Sequence, residues 1–379
     1  MDRQVPPGWD HAPSATCAQV GEHALIRWIT GRLAAPASAD LLVDVGDDAA
    51  VVRPRRNHVD VLTTDVMVDG VHFSRAFSDA RDVGHRALHV NLSDVAAMGA
   101  EPRWALLSLG LPGDLEARWV ADLVDGLVEA AEAMRVRLIG GNISRSPALF
   151  VDVTVSGTAK PRHVLRRSGA RVGDELYVSG EVGAAAAGLA WLQLAGGGAP
   201  LRLLAGHTSP DAPTTGSPDG AGSQEGVVPA ELELAVTRYR RPEARVALGV
   251  QVGRNKAASA CMDTSDGLAD ALRQLAAASG VGMRIEAAAL PCSPAIAPVA
   301  AATGADPEVL AWSGGEDYEL VFAVPRRSRR RFMHATTRKG LPPVTRIGVC
   351  TRDADVCIVE ADGRVRPVPG GFEHFGGRD

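Results

Sequence analysis

Carboxylates recur where apolar runs meet turns of small residues: Asp47 and Asp48 in VGDDAAV, Asp65 in LTTDV, Asp94 in NLSDVAAMG, and Asp263 and Asp266 in MDTSDGL. Taken singly such residues close turns or cap helices, and Asp266 would then cap the helix that GLADALRQL begins. Taken together they offer oxygen ligands without His or Cys beside them. That donor set suits Mg²⁺, which keeps waters and joins one or two carboxylates to phosphate oxygens.

Asp94 is the hardest of them to read as a turn residue. On a helix of 3.6 residues per turn it falls about 20° from Val83 and shares a stripe with Ala87 and Val90. Burying an unpaired carboxylate costs many kcal/mol, so it needs a partner. No lysine precedes Lys160. The partner is therefore a divalent cation shared with other aspartates, or an arginine such as Arg86 or Arg103. A shared cation would link the acids to a polyphosphate. Gly140–Gly141 and Gly314–Gly315 are then expected in turns where backbone N–H groups approach phosphate. Arg145 and Arg167 could add charge-assisted contacts, or could equally be solvated surface residues. The segment GEVGAAAAG misses the GxGxxG spacing and reads as helix packing.

Elements that would position these residues are legible in the patterning. GEHALIRWI begins an amphipathic helix after a flexible leader of residues 1–20. LLVDV, AAVVR and DVLTTDVMV read as strands joined by tight turns. Asp79 caps a helix to about Met98, and a second helix over Leu115–Met134 puts Trp119, Leu123 and Leu127 on one face. VRLI is a strand leading into Gly140. The texture changes near residue 161, where a second domain is expected, with a mobile insertion of Gly, Pro, Ser and Thr at about 196–229. ACMDTSDGLADALRQL reads as strand, turn and helix, and SGGEDYELVFAVP as a glycine turn entering a buried strand. The alternation predicts an α/β or α+β arrangement.

Composition narrows the function classes. A chain of 379 residues, 46% hydrophobic and 22% charged, holds two domains or three and is too apolar to be disordered. A net charge of −5 gives no field to attract a nucleic-acid backbone. No GxxxxGK[ST] occurs, so a nucleotide would be held without a P-loop lysine. Five cysteines without a CxxC pair indicate neither a disulfide framework nor zinc. The uncharged stretch Val182–Leu201 is mostly Ala and Gly, too weakly apolar to insert in a membrane, and reads as a buried helix ending at Gly196. With no secretion signal, a cytoplasmic protein is expected.

In order, GDDAAV, TTDVMVDGVHF, NLSDVAAMGAEP, IGGNISRS, RRSGARVGD, MDTSDGL, SGGEDYEL and the terminal GFEHF resemble the thiamine-monophosphate kinase family, from about residue 21 to 375. The resemblance implies a two-domain ATP-binding fold shared with aminoimidazole ribonucleotide synthetase. Residues 21–160 would form an N-terminal β-rich domain that binds ATP and Mg²⁺ and pairs in a homodimer, and residues 161–379 a C-terminal α/β domain. It implies transfer of the ATP γ-phosphoryl group to thiamine phosphate, with Mg²⁺ as cofactor and neither nucleic acid nor membrane as partner. By motif position, Asp47, Thr63, Thr64, Asp65, Asp94, Asp263 and Asp266 match magnesium-binding positions. Gly141, Asn142, Arg167 and Ser265 match ATP-binding positions, and His72, Glu316 and Phe372 match those touching thiamine phosphate. Asp47, Asp65, Asp94 and Asp263 are the expected catalytic set. The acceptor is itself an ionised phosphate, so positioning and charge neutralisation suffice and no strong base is needed.

One segment departs from the pattern. The family usually reads GGDTTRS, and here GGNISRS puts Asn142 where a metal-binding carboxylate is expected; the amide offers an oxygen without the charge. Two alternatives follow: an ATP-binding paralogue with weakened catalysis, and another enzyme of the same superfamily. A selenophosphate synthetase would need a reactive cysteine beside a catalytic lysine, which Cys17 lacks, and a hydrogenase-maturation relative would carry a C-terminal cysteine.

Overall fold

The computed structural model describes residues 11–12, 14–33, 39–195 and 230–370. Phe372, the GFEHF end and the expected insertion at 196–229 lie outside them.

A helical turn, α1 (Cys17–Val20), precedes α2 (Glu22–Leu33). The expected leader therefore ends sooner than residue 20. Thr16 closes a capping box with Gln19, and the Cys17 N–H donates to the Leu115 carbonyl at 2.8 Å. Short β1 (Leu41–Val43) and β2 (Val51–Val52) pair with each other. The first large sheet comprises β3 (Val59–Val68), β4 (Glu101–Leu111), β5 (Arg137–Arg145) and β6 (Phe150–Ala159), in the order β3-β6-β4-β5. Helices α3 (Ala80–Ala97) and α4 (Ala117–Met134) pack against one another beside it. Asp79 caps α3 as expected, accepting from the Asp82 N–H at 2.8 Å.

The second sheet has seven strands: β7 (Glu175–Ser179), β8 (Ala260–Asp263), β9 (Gly282–Glu286), β10 (Leu320–Val324), β11 (Val344–Thr351), β12 (Val356–Val359) and β13 (Val365–Pro367). Their order is β13-β12-β9-β11-β7-β10-β8. Helices α5 (Ala184–Ala195), α6 (Ala230–Arg240), α7 (Val246–Arg254), α8 (Leu268–Ser279), α9 (Ile296–Thr303) and α10 (Arg329–Thr336) complete this half. Strands β7, β8 and β10 are buried along their whole length, which is why their sequences are mostly apolar without alternation. Helix α5 is the buried Ala-rich helix expected from the sequence. A Cβ on Gly188 would stand 2.2 Å from the Ala235 carbonyl, so glycine there lets α5 and α6 touch. Among the described residues no helix is long and apolar enough to cross a membrane.

Three expectations need correction. Gly140 and Gly141 lie inside β5, not in a turn. A Cβ on Gly141 would sit 1.8 Å from the Leu107 carbonyl of β4, so close strand packing demands the glycine. Helix α4 starts at Ala117. Asp266 does not cap α8: Gly267, at φ +92°, occupies that position without a side-chain bond.

The two halves share a core. Leu248 and Val252 of α7 and Phe322 of β10 belong to the same buried cluster as Leu88, Leu92 and Val95 of α3. A Cβ on Gly249 would approach the Ala96 carbonyl to 2.0 Å, so α7 lies directly on α3. Helix α3 in turn touches β3 and β6 of the first sheet and β8 of the second.

Candidate active site

Three elements converge on one cavity of about 230 Å³. Helix α3 brings Arg86, Val90 and Asp94, four residues apart and so on one face; β3 brings Asp65 and Met67; the end of β8 and the loop after it bring Asp263, Ser265 and Asp266. His72 and Glu316 also line it. A second cavity, of about 640 Å³, shares Asp94 and Asp263 with the first and adds Thr63, Arg166 and Arg167. Asp94 and Asp263 thus form a common wall between two chambers.

Hydrogen bonds hold that wall. The Thr63 hydroxyl donates to Asp94 Oδ2 at 2.5 Å, and the Ser93 hydroxyl to Asp263 Oδ2 at 2.7 Å. The arginine alternative for Asp94 does not hold: Arg86 pairs with Glu316 and Arg103 with Asp40. Like charges are therefore crowded together. Burial, then Asp94, push Asp263 up to about 7, with Ser93 and Arg167 opposing. Burial, then Asp94 and Asp266, push Asp65 up to about 6.

Could these residues hold a divalent cation? Among the described residues no arginine or lysine pairs with Asp65, Asp94 or Asp263 at ion-pair distance, and the raised proton affinities of Asp65 and Asp263 mark a missing positive charge. Also among the described residues, no three His, Cys, Asp or Glu side chains form a ready-made cage. Oxygen donors spread round a cavity without a cage fit Mg²⁺, which retains waters and takes ligands from a bound phosphate.

The SGGEDYEL loop is pinned acid by acid to different elements. Glu316 pairs with Arg86 of α3 at 2.5 Å. Asp317 accepts from the Gly183 and Ala185 N–H groups at the start of α5, at 2.6 and 2.9 Å. Glu319 takes a fork from Arg245, with its Oε2 accepting from Arg245 Nε at 2.8 Å, and its own N–H donates to the Thr264 hydroxyl at 3.0 Å. Close approach explains Gly315: a Cβ there would lie 2.4 Å from the Ser265 carbonyl.

Not every expected residue comes to the cavities. Asp47 is exposed and its carboxylate accepts from the Asp48 N–H. Thr64 points to the opposite face of β3 from Thr63 and bonds Asp152 and Thr154. Gly141 and Asn142 line a separate apolar cavity between α2 and β5, where the Asn142 amide donates to Ser144. Missing from the expected set are Tyr239 and Tyr318, which line the first cavity, and Arg86 was anticipated only as a partner for Asp94. The spacing of Arg86, Val90 and Asp94 was the available signal.

Comparison with known proteins now bears on this geometry. Residues 46–159 match the model for AIR synthase related protein, N-terminal domain, and residues 171–359 that for the C-terminal domain. The thiamine-monophosphate kinase of Escherichia coli K12 is 34% identical over 359 residues, 94% of this chain and 98% of the relative. The chain belongs to the thiamine-monophosphate kinase family. The crystal structure of the family member from Stenotrophomonas maltophilia K279a is similar at a TM-score of 0.71 and 34% identity, covering 89% of this chain and 95% of that one. Another solved structure, AaThiL complexed with AMPPCP and TMP, aligns at 0.68 and 32% identity over 94% and 97%. Thiamine-monophosphate kinase relatives thus span both sheets and the α3 junction that builds the cavities.

Proposed function

We propose that this chain transfers the γ-phosphoryl group of ATP to thiamine phosphate, giving thiamine diphosphate and ADP. The observation that carries the reading is the shared wall: one chamber on each side of Asp94 and Asp263 suits two phosphate-bearing substrates meeting in line. The larger chamber, with Arg167 at its edge, would take ATP, and Ser265, on the smaller chamber's side of the wall, would meet its phosphate end. The smaller, with His72 and Glu316, would take thiamine phosphate. A relative solved with AMPPCP and TMP supports the pairing.

Asp65, Asp94, Asp263 and Asp266 are the residues that would hold Mg²⁺, with the Thr63 hydroxyl steadying Asp94. When bound, Mg²⁺ neutralises charge on the phosphate oxygens. The side chains themselves orient: Ser93 fixes the Asp263 carboxylate and Thr63 fixes Asp94. The acceptor oxygen is already an anion, so no residue need remove a proton from it.

Residues 21–160 and 161–379 would act as one unit through the α3–α7 contact. Two copies would pair through the outer face of the first sheet, where Leu62 is 71% and Val66 47% exposed on β3 and Leu106 41% on β4, one strand away across β6.

The test is direct assay of ATP with thiamine phosphate, thiamine or an aminoimidazole precursor, with and without Mg²⁺. Mg²⁺-dependent thiamine diphosphate supports the reading. ATP binding without product would favour a weakened paralogue, and turnover of the precursor another enzyme of the superfamily.

A further inference from the structure

The smaller chamber is lined by two chemically different sets of side chains. Besides the aspartates it has Tyr239, Tyr318, Met67, Val90 and Leu189, with Glu316 as the carboxylate among them. Both protein partners of that carboxylate meet the same oxygen: Arg86 Nη2 is ion-paired with Oε2 at 2.5 Å, and the Tyr318 hydroxyl donates to Oε2 at 2.7 Å. Among the described residues Oε1 receives no hydrogen bond. Paired with a guanidinium, Glu316 is a carboxylate and can only accept.

The arrangement is held at a cost. Glu316 and Tyr318 have φ of +74° and +51°, left-handed conformations that side chains other than glycine rarely adopt. Arg86 is 2% exposed, its Nε has no hydrogen-bond partner among the described residues, and its guanidinium lies 4.3 Å from the centre of the Tyr239 ring while Nη1 donates to the Tyr239 carbonyl at 3.1 Å. Burial opposes the charge of Arg86, but Glu316, Tyr239 and Tyr318 together outweigh burial and keep it charged. Strain and an orphaned buried donor at one spot mark a group arranged for a ligand more than for stability.

We propose that Arg86 and Tyr318 are positioning residues that occupy Glu316 Oε2 so that Oε1 faces the chamber and accepts from the amino group on the heteroaromatic ring of the substrate. This rests on the function proposed above. Once its hydroxyl is phosphorylated, thiamine carries one N–H donor, the exocyclic amine of its pyrimidine, so an acceptor-only oxygen among aromatic side chains selects that end of the molecule. The phosphate end is thereby directed toward the aspartates.

The experiment compares thiamine phosphate with oxythiamine phosphate, in which a carbonyl oxygen replaces the amine, on the full chain and on Tyr318→Phe and Arg86→Lys. The wild-type chain should favour the amine in kcat/KM by about 10-fold or more, the scale of one hydrogen bond to a charged group. Tyr318→Phe should raise KM for thiamine phosphate several-fold, leave KM for ATP and kcat near wild type, and narrow the discrimination. Arg86→Lys, which keeps the charge, should retain more of it than Arg86→Met. Unchanged discrimination in Tyr318→Phe, or KM for both substrates rising together, would overturn the proposal. Calorimetry of thiamine phosphate binding separates the two readings. Binding that weakens in Tyr318→Phe without any phosphorylation would sink the proposed reaction and keep this assignment, whereas no binding by wild type would end both.

Discussion

Thr63 and Thr64 are neighbours in the chain and serve opposite faces of one sheet. The Thr63 hydroxyl donates inward to Asp94, and the Thr64 hydroxyl donates outward to Asp152 at 2.9 Å. Strand alternation imposes this, and it splits a motif that reads as one unit in the sequence. Thr63→Val should lower kcat/KM by about 10-fold or more, because a charge-assisted hydrogen bond is lost beside the reacting phosphates. Thr64→Val should leave steady-state kinetics near wild type. Equal losses from the two would show that both hydroxyls serve the same site.

Asp94 stands at the common wall, so its charge matters to both chambers. Asp94→Asn keeps the side-chain volume and removes one of the like charges that raise Asp65 and Asp263. Turnover should fall by about 100-fold or more, as when a preorganised electrostatic group is lost. Thermal stability in Mg²⁺-free buffer should hold or rise, because repulsion is relieved. A variant that melts early would show instead that Asp94 chiefly supports the fold.

How much of this was legible beforehand follows from where the signal resides. The stripe of Ala87, Val90 and Asp94 fixed the face of α3, and Asp79 its start, because both are local. MDTSDGL was readable as strand, turn and helix for the same reason. Gly141 was misread, since its need for close approach comes from Leu107 on a neighbouring strand and not from its own surroundings. The roles of Arg86, Tyr239 and Tyr318 depend on α3, α6 and the SGGEDYEL loop meeting, and on a left-handed backbone at Tyr318 that no residue type announces.

Proton and cation should compete for the same oxygens. Asp263 and Asp65 rise to about 7 and about 6 in the folded chain, from an unfolded value of about 3.9. Between about pH 4 and 7 the native state then binds more protons at these two sites, so without a cation their contribution to stability falls as pH rises. Mg²⁺ must displace those protons, so its affinity should weaken as pH drops through 7 to 6. The rise in Tm on adding Mg²⁺ should be larger at pH 8 than at pH 5.5, and Asp263→Asn should shrink the difference. An Mg²⁺-induced shift independent of pH would place the cation elsewhere.

The outer face of the first sheet exposes Leu62 and Val66 on β3 and Leu106 on β4, with β6 between them. In the proposed dimer this face is the seam, and a charge at Leu62 would be buried against the partner copy. Leu62→Asp should convert a dimer to a monomer in light scattering at micromolar concentration while far-ultraviolet circular dichroism stays unchanged. A wild-type chain that is monomeric at the same concentration would remove the basis for pairing.

Asn142 lies on that outer face as well. In register it faces Ser108, which in turn faces Asp152, and Asp152 pairs with Val66. It lines neither acidic cavity, although the family pattern puts a metal-binding carboxylate at its position. A charge added there belongs to the sheet surface of its own chain, so Asn142→Asp should leave the Mg²⁺ titration of the monomeric Leu62→Asp background within about 2-fold, since an exposed charge contributes little at a distance. In the dimeric chain the same substitution should tighten Mg²⁺ dependence only if the partner copy carries β5 to the acids. Measuring both backgrounds decides between a site complete in one chain and a site finished by two. Tightening in the monomer would contradict the position of β5 itself.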